Sequence, residues 1–132
     1  MRLFDVEEAR RFVPFLLESF RRIRQWIEEA RAINALLEDE ALTPGEAQRR
    51  RAEVEQTIGR IREEIARLEQ AGVAVKDVEG LVDFPAMMGD RHVYLCWKFP
   101  EESVDFWHEL EAGFAGRQPI TDHAAFARSW IS

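Results

Sequence analysis

The sequence predicts an α+β protein: a long antiparallel helical hairpin over residues 1–71, then a small antiparallel β-sheet and an irregular C-terminal segment over residues 72–132. Three observations predict it. Apolar residues recur every three or four positions as far as Leu68, with one short interruption near residue 40. After Gly72 the apolar period changes to two, the mark of half-buried strands. The chain has 132 residues, the size of a single domain.

The first helix has a defined start. Asp5 is placed to accept from the first free backbone amides, and Glu8, three residues on, completes a capping box. One seam then reads Val6, Val13, Phe20, Ile27, Asn34, and the other Ala9, Leu16, Ile23, Ala30, Leu37. Pro14 lacks an amide donor and its ring crowds the preceding turn, which predicts a kink or short break near Val13.

The second helix starts at Thr43-Pro44-Gly45-Glu46, where Thr43 caps, Pro44 fits the first helical position and Glu46 closes a capping box. Its apolar stripe reads Ala47, Val54, Ile58, Ile61, Ile65, Leu68, and Gly72 suits a left-handed stop. The connection over residues 39–42 is short enough to make the helices antiparallel neighbours. Trp26, Leu17, Phe12 and Phe15 fall outside the seam. The C-terminal part is expected to cover Phe12 and Phe15, and Trp26 is a candidate for contact with another subunit.

Three strands follow: Val73 to Val75, Leu81 to Phe84, and His92 to Phe99, with Met88-Gly89-Asp90 as a turn. Successive side chains of a strand point to opposite faces. Val82, Phe84, Val93, Leu95, Trp97 and Phe99 therefore make an apolar face for the helices. Asp83, His92, Tyr94, Cys96 and Lys98 make a mixed face that needs water or a cover. The segment 106–119 mixes aromatics, glycines and charges without a clear period and reads as an irregular covering loop. Asp122 to Trp130 reads as a short amphipathic helix with Ala125, Phe126 and Trp130 inward.

Composition narrows the function. Charged residues make up 33% and hydrophobic ones 46%, as in a folded globular chain. The net charge of −7 opposes binding to phosphate backbones, and the Arg10–Arg11, Arg21–Arg22 and Arg49–Arg51 runs are interleaved with Glu as on solvated helix faces. No nucleic-acid partner is expected. No stretch approaches the roughly 20 apolar residues of a membrane span, so no membrane partner is expected either. Cys96 is the one cysteine, which excludes an intramolecular disulfide, and the cytoplasm is the expected location.

The strings Phe4-Asp5-Val6-Glu7-Glu8-Ala9-Arg10, Gly72-Val73, Val75-Lys76-Asp77, Gly80-Leu81-Val82-Asp83-Phe84-Pro85 and Val93-Tyr94-Leu95-Cys96-Trp97 carry a resemblance to a known family. So, most specifically, does Trp107-His108-Glu109-Leu110-Glu111-Ala112-Gly113-Phe114-Ala115-Gly116-Arg117-Gln118-Pro119. The chain resembles the bacterial family called domain of unknown function 2203 over nearly its whole length, up to about Ile120. The resemblance implies one fold and a small bacterial cytosolic protein. It implies no activity.

The residues that can carry chemistry are Asp83, Cys96, His108, Glu109, Glu111 and Arg117. His108 and Glu111 have the spacing His-x-x-Glu, which on a helix puts both on one side. Asp83, His108 and Glu111, completed by Cys96 or His92, are a plausible ligand set for zinc, manganese or iron. Equally, His108 can pin its loop by bonding a carboxylate and a backbone carbonyl. Cys96 can act as a nucleophile with His108 as base and Asp83 as orienter, or it can be a small buried residue of an apolar strand. The stretch Gly113 to Arg117 offers amides and a guanidinium to an anion but lacks the lysine and helix of a phosphate loop. Arg117 can instead bond Asp83 or Glu111, and Asp83 can be held by Lys76 or Arg117.

Together these features favour a protein without catalytic function that forms a homo-oligomer, a dimer, through its hairpin and carries a small polar ligand or ion pocket. The alternative is a metal-dependent hydrolase using His108 and acidic ligands.

Overall fold

The computed structural model describes residues 2–127. Helix α1 spans Val6–Leu36 and helix α2 spans Pro44–Gln70. Both begin with the capping boxes that the sequence predicts: Asp5 with Glu8, and Thr43 with Glu46. Five strands follow, β1 Ala74–Asp77, β2 Leu81–Met88, β3 Arg91–Lys98, β4 Phe106–Glu109 and β5 Gln118–Pro119, with 3-10 turns at Phe114–Gly116 and His123–Phe126. The strands form one antiparallel meander in chain order, β1-β2-β3-β4-β5.

One apolar core joins the two parts. Val6, Ala9, Val13, Leu16, Phe20 and Ile23 of α1 and Leu68 of α2 meet Val82, Phe84, Val93, Leu95 and Trp97 of the sheet. The Phe20 and Trp97 rings lie 5.7 Å apart, and Phe4 packs edge-on to Phe84 at 5.1 Å. The Phe4 amide donates to the Pro85 carbonyl at 2.7 Å, which ties the start of the chain to β2.

The turn from β1 to β2 demands a glycine. Gly80 has φ +123°, and a Cβ there would lie 2.4 Å from that of Phe99. Such a backbone conformation is rarely open to other residues.

Several expectations need correction. Helix α1 runs through Pro14 without a break. Pro14 is exposed, so water can reach the carbonyl that its missing amide leaves without a donor. Phe12 packs on Phe4 and Phe84 as expected, but Phe15 remains 63% exposed. The segment 106–119 is not an irregular cover. Its first four residues extend the sheet as β4, paired to β3, and β4 carries aromatic residues on both faces, which hides its alternation. Of the expected C-terminal helix only a 3-10 turn forms, with Phe126 buried. Trp130 lies outside the described residues.

The stripe of α2 is also shifted. Val54, Thr57, Glu64 and Leu68 are buried, with Ile61 half-buried between them, whereas Ile58 and Ile65 flank the line half-buried. The spacing 54, 57, 61, 64, 68 is a coiled-coil seam with two polar members. Glu64, 2% exposed, accepts from the Ser19 hydroxyl at 2.7 Å and from Arg22 at 2.7 Å, and it also pairs with Arg67. Burial alone would raise its pKa, but the hydrogen bonds from Ser19, Arg22 and Arg67 outweigh it and hold the carboxyl below its ordinary value. A carboxyl whose folded pKa lies below its unfolded pKa adds stability above the unfolded value and loses it as pH falls through the folded one. Glu64→Gln is therefore expected to flatten the acid limb of stability against pH, measured by urea denaturation between neutral pH and pH ~3.

Candidate functional site

Three neighbouring strands turn one residue each onto the sheet face away from the helices. Asp83 of β2 sits opposite Cys96 of β3, and His108 of β4 sits opposite Tyr94 of β3. Hydrogen-bonded strands lie about 4.8 Å apart, so side chains at such positions converge. The His108 Nε2 and Asp83 Oδ1 atoms are 2.9 Å apart. A carboxylate oxygen of Asp83, Sγ of Cys96 and a ring nitrogen of His108 all lie within 4.8 Å of one another. The three residues are 4%, 0% and 1% exposed.

The imidazole is fixed from both sides. Its Nδ1–H donates to the Glu109 carbonyl at 2.7 Å, and since a carbonyl only accepts, Nδ1 carries a proton. The Nε2 contact with Asp83 then needs a second proton, held by imidazolium or by carboxyl. Burial, and next the adjacent Asp83 charge, push the Cys96 thiol up to about 12. It is therefore a protonated thiol at neutral pH and a poor nucleophile.

The surroundings hold this group in place. The Tyr94 ring lies 5.5 Å from that of His108, and the Lys76 ammonium stands over Tyr94. Arg117 donates to the Cys96 carbonyl at 3.4 Å and to both oxygens of Glu101 at 2.8 and 3.0 Å. Its guanidinium is sandwiched between Phe106, at 4.0 Å, and Phe114, at 4.8 Å. Glu101 in turn accepts from the Lys98 amide, and its own carbonyl accepts from Trp97 Nε1.

Of the six candidates, Asp83, Cys96 and His108 come together and Arg117 adjoins them through the Cys96 carbonyl. Neither Arg117 nor Lys76 is the partner of Asp83; His108 is. Glu109 offers the cluster only its backbone carbonyl, because its side chain pairs with Arg91 at 2.8 Å. Glu111 lies exposed in the turn after β4. The His-x-x-Glu spacing fails because His108 lies in strand β4 and Glu111 in the turn beyond its end, so no helix sets the two on one side. His92 is exposed beside Arg91, Glu109 and Glu111, on the outer edge of the sheet. Sequence reasoning missed Glu101, whose only signal is its place directly after Pro100.

A shallow cleft elsewhere, lined by Arg24, Asp77, Glu79, Lys98 and Phe114, carries charges already engaged. Arg24 donates to the Glu79 carbonyl and Asp77 accepts from the Glu79 amide.

Fold and site together define an α+β protein in which a helical hairpin backs a five-stranded meander with a sealed Asp–Cys–His cluster on its outer face. By sequence, residues 2–120 match a family described as an uncharacterized conserved protein, DUF2203, and the chain belongs to that family. No curated protein matches the chain, and no solved structure does. Among the described residues, no helix is long and apolar enough to cross a membrane.

Proposed function

We propose that this chain is a protein without catalytic function that self-associates as a dimer through the outer half of its hairpin, with the sheet cluster serving as a closed pocket for a small polar ligand or ion. One observation carries the reading: from Arg24 to Glu53 no residue is buried, although the apolar seam continues. The 31 residues of α1 span about 46 Å, whereas an eight-residue strand spans about 27 Å. The β1–β2 turn reaches as far as Arg31, through Glu79, and Trp26 and Ile27 pack against the core, so it is the hairpin beyond Arg31 that outruns the sheet. Ile33, Leu37, Leu42 and Ala47 are only half-buried there, and Leu36 is 50% exposed.

A second copy suits this stripe. The outer half of α1 carries Arg24, Glu28, Glu29 and Arg31, and that of α2 carries Glu46, Arg49, Arg50, Arg51, Glu53 and Glu55, so neither half has a net charge to repel a second copy. Pairing α1 of one copy against α2 of the other in a two-fold, four-helix arrangement joins the apolar stripes. The reading places the protein in the cytoplasm, where a lone thiol stays reduced.

Burial supports a role without catalysis. A metal-dependent hydrolase needs a coordination position that substrate can reach, and Asp83, Cys96 and His108 are covered.

Light scattering tests the association. Wild type is expected at twice its 15.4 kDa mass at micromolar concentration. Leu36→Lys, at an exposed position, is expected to give a monomer with an unchanged far-ultraviolet spectrum. A wild-type monomer at 100-fold higher concentration would rule the reading out.

A further inference from the structure

We propose that Asp83, Cys96 and His108 form a zinc site that clamps β2, β3 and β4 together. This rests on the reading of the sheet cluster as an ion pocket and gives that pocket its occupant. Each strand contributes one ligand to the same face, and the three donor atoms lie within 4.8 Å of one another. Around tetrahedral zinc, bonds of about 2.0–2.3 Å separate donors by about 3.3–3.6 Å. The 2.9 Å Nε2–Oδ1 contact therefore has to open by a few tenths of an ångström, and a donor pair at the 4.8 Å limit has to close by about 1 Å, within reach of a side-chain adjustment.

The imidazole is already set for coordination. With Nδ1–H held by the Glu109 carbonyl, Nε2 is the nitrogen that faces Asp83 and Cys96. Metal-bound histidines commonly donate their other N–H to a carbonyl or carboxylate in this way. Charge favours a divalent ion as well. On binding, the Cys96 thiol releases its proton to solvent and Nε2 holds none, and the resulting carboxylate, thiolate and neutral imidazole sum to −2, so a dication leaves no net charge in a buried place.

The donor set selects the metal. A single oxygen does not serve magnesium or calcium, which take six or more oxygen ligands. One sulfur, one nitrogen and one oxygen suit zinc. Because the site is closed, its work is structural.

The test uses full-length protein purified without chelator. Elemental analysis is expected to find one zinc per chain, and metal-stripped protein to take up one zinc in competition with a chromophoric chelator. Cobalt in its place is expected to give a thiolate-to-metal charge-transfer band. Cys96→Ser and His108→Gln, checked for far-ultraviolet circular dichroism, should each weaken zinc binding by about tenfold or more. Glu111→Ala should not. Folded wild type that takes up no stoichiometric zinc overturns the site, and so do folded Cys96→Ser and His108→Gln variants that bind like wild type. Light scattering on the same samples separates this from the hairpin reading. A dimer without zinc sinks the site alone, and a monomer with one zinc sinks the dimer alone.

Discussion

Replacing His108 by Ala is expected to destabilise the metal-stripped protein by about 3 kcal/mol, the upper end of the cost of leaving a buried hydrogen-bonding group without its partner. The Asp83 carboxylate would remain 4% exposed and lose its 2.9 Å partner. The Glu109 carbonyl would lose the Nδ1–H donor as well. Urea denaturation of the stripped variant against wild type measures the loss.

Trp97→Ala is expected to cost a similar amount, about 3–5 kcal/mol, as large aromatic-to-alanine changes in cores do. Trp97 is fully buried against Phe20 and edge-on to Phe99 at 6.3 Å. The change removes more than volume. Trp97 Nε1 donates to the Glu101 carbonyl at 2.8 Å, and Glu101 holds Arg117, which bonds the Cys96 carbonyl. The effect should therefore reach the sheet cluster from the opposite face. Urea denaturation gives the magnitude. Faster alkylation of Cys96 in folded Trp97→Ala than in folded wild type would report the loosened cover.

The helices and the inner strands were legible because their signals are local. Asp5 with Glu8 and Thr43 with Glu46 start the helices within four residues of sequence, and Val82, Phe84, Val93, Leu95 and Trp97 alternate without interruption. The seam of α2 was misread at Thr57 and Glu64 because a polar residue in a seam becomes tolerable only when partners from the other helix, here Ser19 and Arg22, satisfy it. That pairing is tertiary and leaves no mark in the spacing. Phe106 to Glu109 hid for a related reason: Trp107 faces the core, touching Phe126, while His108 faces the other side, so both phases look apolar or aromatic. The meeting of Asp83 with His108 was anticipated from residue type and face. The exclusion of Glu111 was not, because it depends on 106–109 being a strand rather than a helix. Pro14 shows the limit of a local rule, since one missing hydrogen bond on an exposed turn does not outweigh the packing of Val13 and Leu16 beside it.

The central claim is that Asp83 and His108 act as one buried unit, and a double-mutant cycle on stripped protein tests it most directly. Stabilities of wild type, Asp83→Ala, His108→Ala and the double variant would be compared by urea denaturation. The two losses are expected to overlap, with a coupling of about 2 kcal/mol, within the range for residues in direct contact. Losses that simply add, to within about 0.5 kcal/mol, would mean that the two side chains do not interact.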